Sequence, residues 1–286
     1  PYPHSENIPA GMSHEQYVEY CLWHLDSHIP EYIVPSENIA AVLIEPGLAE
    51  GGNWIPSGNF IKGIRKICDK HGWLMIADEV LTGLGRTAEM WGMDHYKVIP
   101  DMLIVGKNLS GGIAPCAGVA TRDEILGNNP SASSGSTFAG TPAGCAAGLK
   151  TLEIYKRDKV IDHAKKLAQI AKLRMEPLCE KYSIVSETRQ LGLLMGISFN
   201  LPDSLASSDK YDDSFVARTV RDCMLRNGVW AICDSESTVR MYPALNMNEN
   251  VFREAFDIIE DAIITVESGS ELVGDYPAIP TGVTGF

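Results

Sequence analysis

The chain has 286 residues, 45% of them hydrophobic and 21% charged, with a formal net charge of −13. That composition excludes intrinsic disorder, and the acidic balance argues against nonspecific binding to nucleic acid or to an anionic membrane. No apolar run approaches the ~20 residues that a membrane-spanning helix needs, and the opening PYPHSENIP has neither the basic nor the apolar segment of a signal peptide.

The length suits one large domain or two ordinary ones. Seven cysteines, at 21, 68, 116, 145, 179, 223 and 233, contain no C-x-x-C. They predict reduced, mostly buried thiols in a cytoplasmic protein, since a secreted disulfide framework has closer, paired spacings. No His/Cys cluster has metal-ligand spacing, so no metal site is expected.

Residues 1–12 are rich in Pro and polar groups and predict a loop. Helical spacing begins at 13–29, behind a Ser13 cap with Gln16 three residues on. IAAVLIEP (39–46) is a continuous apolar run, the pattern of a strand buried on both faces of a parallel sheet. A Gly-rich loop leads to a helix at 60–72, closed by Gly72. Two further strands follow, WLMIADEV and DMLIVG (101–106). This order predicts βαβ units and a mostly parallel sheet.

Residues 142–181 predict long helices. The first part, rich in small residues, is expected to pack tightly inside the protein, and the second to lie amphipathically on the surface. Beyond 182 the pattern changes to strands at 184–200, 229–233 and 238–245, with helices at 212–229 and 248–266. The expected organisation is therefore a large α/β domain over 1–181 and a smaller C-terminal α+β domain over 182–286, ending in an irregular tail from 267.

The chemistry gathers at strand ends, where open α/β sheets bind their ligands. GWLMIADEVLTGLGR (72–86) runs from a core strand directly into Asp78 and Glu79. Placing carboxylates there is costly unless a partner compensates them. Lys107 in VGKNLSGG follows Asp78 by 29 residues, about one βαβ excursion. A lysine just past a buried strand is expected to be partly desolvated and hence nucleophilic. An aspartate opposite it would hold a cationic ring nitrogen, the pairing that pyridoxal phosphate requires. Glu45 and Glu50 lie at the end of the first strand.

Four segments, in this order, carry a resemblance: IAAVLIEPGLAEGG, WLMIADEVLTGLGRT, PDMLIVGKNLSGG and SGSTFAGTPAGCAAGLKTLE. Over residues 36–265 the chain resembles the class III pyridoxal-phosphate-dependent aminotransferases of fold type I. The resemblance implies pyridoxal 5'-phosphate as cofactor, with Lys107 forming the Schiff base and then shuttling a proton. It also implies Asp78 on the pyridine nitrogen, Val80 on the ring face, and Ser136 and Thr137 reaching the phosphate of a neighbouring subunit. That last role implies a homodimer with shared active sites, and a tetramer stays open. Arg240 in TVRMYP matches the arginine that holds a substrate carboxylate. Glu50 matches the glutamate that pairs with it in the 2-oxoglutarate-using subgroup.

The expected reaction is transfer of an amino group from a terminal-amine donor, such as taurine or 4-aminobutyrate, to 2-oxoglutarate. Two alternatives stay open: an amino-acid racemase or aminomutase of the same family, and a non-catalytic fragment that keeps the fold. The family's N-terminal part, with its Gly/Ser phosphate turn and ring-stacking aromatic, has no counterpart here, so the chain is expected to be a piece of a longer protein. Ala88 and Lys97 stand where the family usually has glycine, and both positions look peripheral. Leu81 stands where many members have Gln.

Overall fold

A computed structural model of the chain describes residues 1–126, 137, 139–202, 212–233 and 237–269. The helices are α1 (His14–Trp23), α2 (Ile29–Tyr32), α3 (Gly58–His71), α4 (Asp123–Leu126), α5 (Pro142–Arg157), α6 (Val160–Met175), α7 (Leu178–Lys181), α8 (Asp213–Arg226) and α9 (Glu249–Glu267). The strands are β1 (Ala41–Ile44), β2 (Leu74–Asp78), β3 (Met102–Val105), β4 (Gly118–Thr121), β5 (Val185–Leu191), β6 (Leu194–Phe199) and β7 (Thr238–Met241). They form a four-stranded sheet of order β1-β2-β3-β4 and a three-stranded sheet of order β5-β6-β7. β1, β2 and β3 are parallel and β4 is antiparallel to β3, so the predicted α/β class with a mostly parallel sheet holds.

The chain falls into two compact units. One comprises Pro1–Leu173, Arg189–Gly196 and Arg240–Glu249; the other comprises Arg174–Thr188, Ile197–Val239 and the residues from Asn250 onward.

In the first unit the sequence dictates its helices cleanly. The Ser13 side chain accepts from the Gln16 amide and the Gln16 side chain accepts from the Ser13 amide, a reciprocal cap that starts α1. Ser57 caps α3, and Gly72, at φ +74°, ends it in the left-handed conformation that a side chain resists. The α3 face of Phe60, Ile61, Ile64, Ile67 and Cys68 is buried together with Tyr17, Val18 and Cys21 of α1 and Met75 and Ala77 of β2. Each large aliphatic side chain so buried contributes about 1.5–3 kcal/mol.

The opposite face of the sheet differs from expectation. Register places Leu43 beside Ile76, Ile76 beside Met102, Asp78 beside Ile104, and Ile104 beside Val119, so these residues share one face. Leu43 is 60% exposed and Val119 51% exposed. The continuous apolar run of β1 predicted burial on both faces; only the side bearing Val42 and Ile44 packs on the core. Helix α5 is corrected in the same way. It buries only Gly144 and Gly148, where added side chains would meet the carbonyls of Pro115 and Leu109. Leu149 and Cys145 are exposed. Its small residues allow close approach to the segment after Lys107, not enclosure.

Asp101 ties this unit together. Its carboxylate accepts from the Met75 amide at 2.8 Å, from Arg65 Nη1 at 2.7 Å and from Arg122 Nη2 at 3.0 Å. Burial alone would push its pKa up, but the Met75 amide and the two guanidinium groups outweigh it and hold the carboxyl below the ordinary aspartate value. The folded pKa being depressed, this stabilisation is present above the unfolded value near 3.9 and is lost as pH falls toward the folded one. Asp101→Asn is expected to cost about 2–3 kcal/mol at neutral pH. It should also flatten the acid side of a plot of unfolding free energy against pH; an unchanged acid limb would refute the assignment.

In the second unit, Asp212 caps α8 through the Phe215 amide at 2.7 Å. Helix α9 buries Phe252, Phe256, Ile259 and Ile263. Glu260 on its polar side takes hydrogen bonds from Lys181, from the Tyr182 hydroxyl at 2.7 Å and from Arg174 at 3.2 Å. Residues 229–233, expected as a strand, are irregular apart from a single bridge residue at Ile232. The Val229 amide bonds back to Met224, closing α8 instead of entering a ladder. Among the described residues no helix is long and apolar enough to cross a membrane.

Candidate active site

Asp78 is the last residue of β2, and its in-register neighbour on β3 is Ile104, three residues before Lys107. Parallel pairing therefore brings the ends that carry the acid and the amine side by side. The Asp78 carboxylate accepts from the Val80 amide at 3.0 Å, a turn that fixes its direction. Val80 in turn lies against Gly106, where an added side chain would meet both Val80 methyl groups at 3.5 and 3.7 Å. Asp78, Val80 and Lys107 are thus gathered at one end of the sheet.

The two adjacent acids divide their tasks. Glu79 is buried, and its carboxylate accepts from Thr82 Oγ1 at 2.6 Å, the Gly92 amide at 2.8 Å and the Met93 amide at 2.9 Å. It fastens the following loop to the strand. Burial still raises its pKa, although these three donors oppose the rise. Asp78 is half-buried and makes no ion pair among the described residues. Arg86, at the end of the same segment, is buried and held by the carbonyls of Pro243 at 2.6 Å and Leu193 at 3.4 Å. Burial pushes its pKa down to about 10.

Lys107 is exposed, where partial desolvation was expected. Its backbone lies at φ +43°, in the left-handed region. A residue with a side chain is held there at a cost on the order of 1–3 kcal/mol, and such residues cluster at functional sites. Ala88 at φ +64° and Lys97 at φ +54° share this conformation, which accounts for glycine being usual at both positions.

Glu45, whose end-of-strand position was legible but whose role was not, is the electrostatic link. Burial raises its pKa, the Ala49 amide opposes this, and the charges of Asp78, Lys107 and Glu50 all act on it.

Arg240 lies on β7 and is only 3% exposed, whereas the Glu50 side chain is 79% exposed. Arg240 Nη1 donates to Glu50 Oε2 at 3.1 Å, to the Ala49 carbonyl at 3.0 Å and to the Tyr242 hydroxyl at 3.5 Å. The expected arginine–glutamate pair is therefore present, with a buried cation and an accessible anion. Tyr242 and Asn53, which the sequence pattern did not single out, stand behind it. The signal was available in the spacing: Tyr242 follows Arg240 by two residues and Asn53 follows Glu50 by three. Thr137 is exposed in a turn, and Ser136 lies outside the described residues.

An exposed amine and a half-buried carboxylate that makes no ion pair among the described residues, at adjacent strand ends with Val80 beside Gly106, fit an aldehyde-bearing aromatic ring with a cationic nitrogen.

The class-III aminotransferase family model matches residues 2–263. The chain is 33% identical over 229 residues to the mitochondrial ornithine aminotransferase of Drosophila melanogaster, covering 80% of this chain and 50% of the relative. It is 29% identical over 275 residues to a leucine/methionine racemase of Thermococcus litoralis, covering 96% of this chain and 60% of the relative. Among solved structures, the ornithine aminotransferase of Toxoplasma gondii, with partial occupancy of PLP at its active site, superposes with a TM-score of 0.74. That match has 29% identity and covers 87% of this chain and 55% of the other. The chain thus spans about half to 60% of the length of these relatives.

Proposed function

The chain belongs to the class III aminotransferase family, and from that premise we propose that its parent activity is transfer of an amino group from a terminal-amine donor to 2-oxoglutarate, with pyridoxal phosphate carried on Lys107. The observation that carries this reading is the pairing of a buried Arg240 with an exposed Glu50 at 3.1 Å. A donor with a terminal amine brings no carboxylate to that position, so Glu50 compensates the buried cation. A 2-oxo acid brings a carboxylate, displaces Glu50 and takes the guanidinium through its planar fork. One site then serves two unlike substrates in turn.

The remaining residues have roles that their chemistry supports. When bound, pyridoxal phosphate supplies electron withdrawal from the carbon that carries the amine. Asp78 would hold the ring nitrogen and keep it protonated. Val80 would pack on the ring. Lys107 would hold the cofactor, and its Nζ, when released by a substrate amine, would move a proton to and from the substrate carbon. Ser136 and Thr137 contribute to phosphate binding across a homodimer.

Glu50→Ala is expected to lower kcat/KM for terminal-amine donors about tenfold or more while sparing glutamate as donor. Steady-state assays with 4-aminobutyrate, ornithine and glutamate check this; an unchanged donor preference would remove the exchange. Likeness to a racemase favours a second reading, in which the same Lys107 and Asp78 invert an amino acid. Product analysis separates the two, since transfer makes a new oxo acid and inversion makes none.

A further inference from the structure

Behind Arg240 runs a directed chain of hydrogen bonds. Tyr242 donates its hydroxyl hydrogen to Asn53 Oδ1 at 2.7 Å, and Asn53 Nδ2 donates to the Met195 carbonyl at 2.6 Å. With its hydrogen committed to Asn53, the Tyr242 oxygen presents lone pairs to Arg240 Nη1 at 3.5 Å. Asn53 is fully buried and sits at φ +58°, a conformation that asparagine tolerates better than most residues. Burial, outweighing the nearby Arg240, holds the Tyr242 phenol above its ordinary pKa, so it remains a donor toward Asn53 at neutral pH.

Arg240 Nη1 carries two hydrogens and lies within reach of Ala49 O, Glu50 Oε2 and Tyr242 Oη. The Tyr242 contact is the longest of them. If Glu50 leaves, a hydrogen is released, and Ala49 and Tyr242 stay within reach of this nitrogen. A guanidinium that drifted at that moment would meet the incoming carboxylate in the wrong geometry, and bidentate pairing depends on geometry.

We propose that Tyr242 and Asn53 form a positioning relay that keeps the Arg240 guanidinium in place while Glu50 exchanges with a substrate carboxylate, and thereby set the affinity for the dicarboxylate acceptor. The relay rests on the exchange reading given above. Tyr242 and Asn53 are positioning residues; Arg240 makes the contact.

The test is calorimetric titration of the intact protein with glutarate, a five-carbon dicarboxylate that lacks the reacting carbonyl. Glu50→Ala should bind glutarate roughly three- to tenfold more tightly than wild type, because an internal competitor is gone. Tyr242→Phe should bind it roughly three- to tenfold more weakly. Asn53→Gly, which keeps the left-handed backbone available, should weaken it similarly and covers the case in which the phenylalanine variant fails to fold. The double variant should bind no worse than the weaker single one, a non-additivity in binding that independent structural damage would not produce. Unchanged affinity in Tyr242→Phe and Asn53→Gly, with tightening in Glu50→Ala, overturns the relay and leaves the exchange standing. No change in Glu50→Ala, or no glutarate binding by wild type and Glu50→Ala alike, overturns both.

Discussion

Gly192→Ala is expected to destabilise the protein by about 3 kcal/mol or more and to lower its melting temperature by roughly 10 °C. A side chain at this position would place its first carbon 2.0 Å from the Thr87 carbonyl carbon, 2.2 Å from the Thr87 oxygen and 2.5 Å from the Ala88 nitrogen. These are backbone atoms, so no rotamer change relieves the clash. Gly192 also lies at φ +63°, a conformation that penalises any L-residue with a side chain. The neighbouring Leu193 amide donates to the Arg86 carbonyl at 2.9 Å, and Arg86 Nη1 reaches back to the Leu193 carbonyl. Moving the backbone away would therefore break the fastening of the loop that follows Asp78. Gly228→Ala is the control: it has φ +92° and nothing within 4 Å, and should cost only about 1 kcal/mol. Thermal or urea unfolding of the two variants separates clash from conformational strain. Equal losses would contradict the close approach.

Lys107→Ala is expected to abolish covalent capture of pyridoxal phosphate and to reduce turnover by at least about 10²–10⁴-fold, the loss that follows from removing a positioned base alone. The backbone adds a second, independent expectation. At φ +43° glycine is the unstrained residue, so Lys107→Gly should be about 1 kcal/mol more stable than Lys107→Ala while equally unable to capture the cofactor. Stability then changes between two variants with the same loss of chemistry, which separates backbone strain from the amine's role. Equal stability of the two variants would show that the left-handed backbone is not a cost at this position.

The fold was largely legible because its signals are local. Ser13 and Ser57 before helical periodicity, Gly72 after it, and apolar runs closed by acids or glycine mark element ends through capping and backbone sterics, and the structure has its elements there. β4 has no readable strand pattern, because GVAT is four residues long and carries a glycine. The burial of β1 and α5 was overstated for a different reason. Apolar sequence reports that a surface needs covering, not what covers it, and in this chain Leu43, Val119 and Leu149 remain exposed.

Legibility at the site followed the same division. Asp78, Lys107 and Glu50 stand out as charged groups at strand ends, whereas Arg240 is marked only by the family resemblance, and register and the Glu50–Arg240 contact bring them together in pairs. Asn53 and Tyr242 did not stand out, since an asparagine after two glycines reads as a turn and a tyrosine in a strand reads as core. Their contact joins residues 189 positions apart, which no local pattern encodes. The division between Asp78 and Glu79 was likewise hidden, because it depends on the amides of Gly92 and Met93 arriving from a later loop.

The proposed activity depends on Lys107 carrying the cofactor, and the most direct measurement is borohydride reduction of the protein loaded with pyridoxal phosphate, followed by absorbance and peptide mass mapping. The prediction is a yellow species that bleaches on reduction and leaves the reduced cofactor mass on the peptide containing Lys107. A label on another lysine, or a protein that stays colourless and unlabelled with excess cofactor, would contradict the assignment of this chain's site.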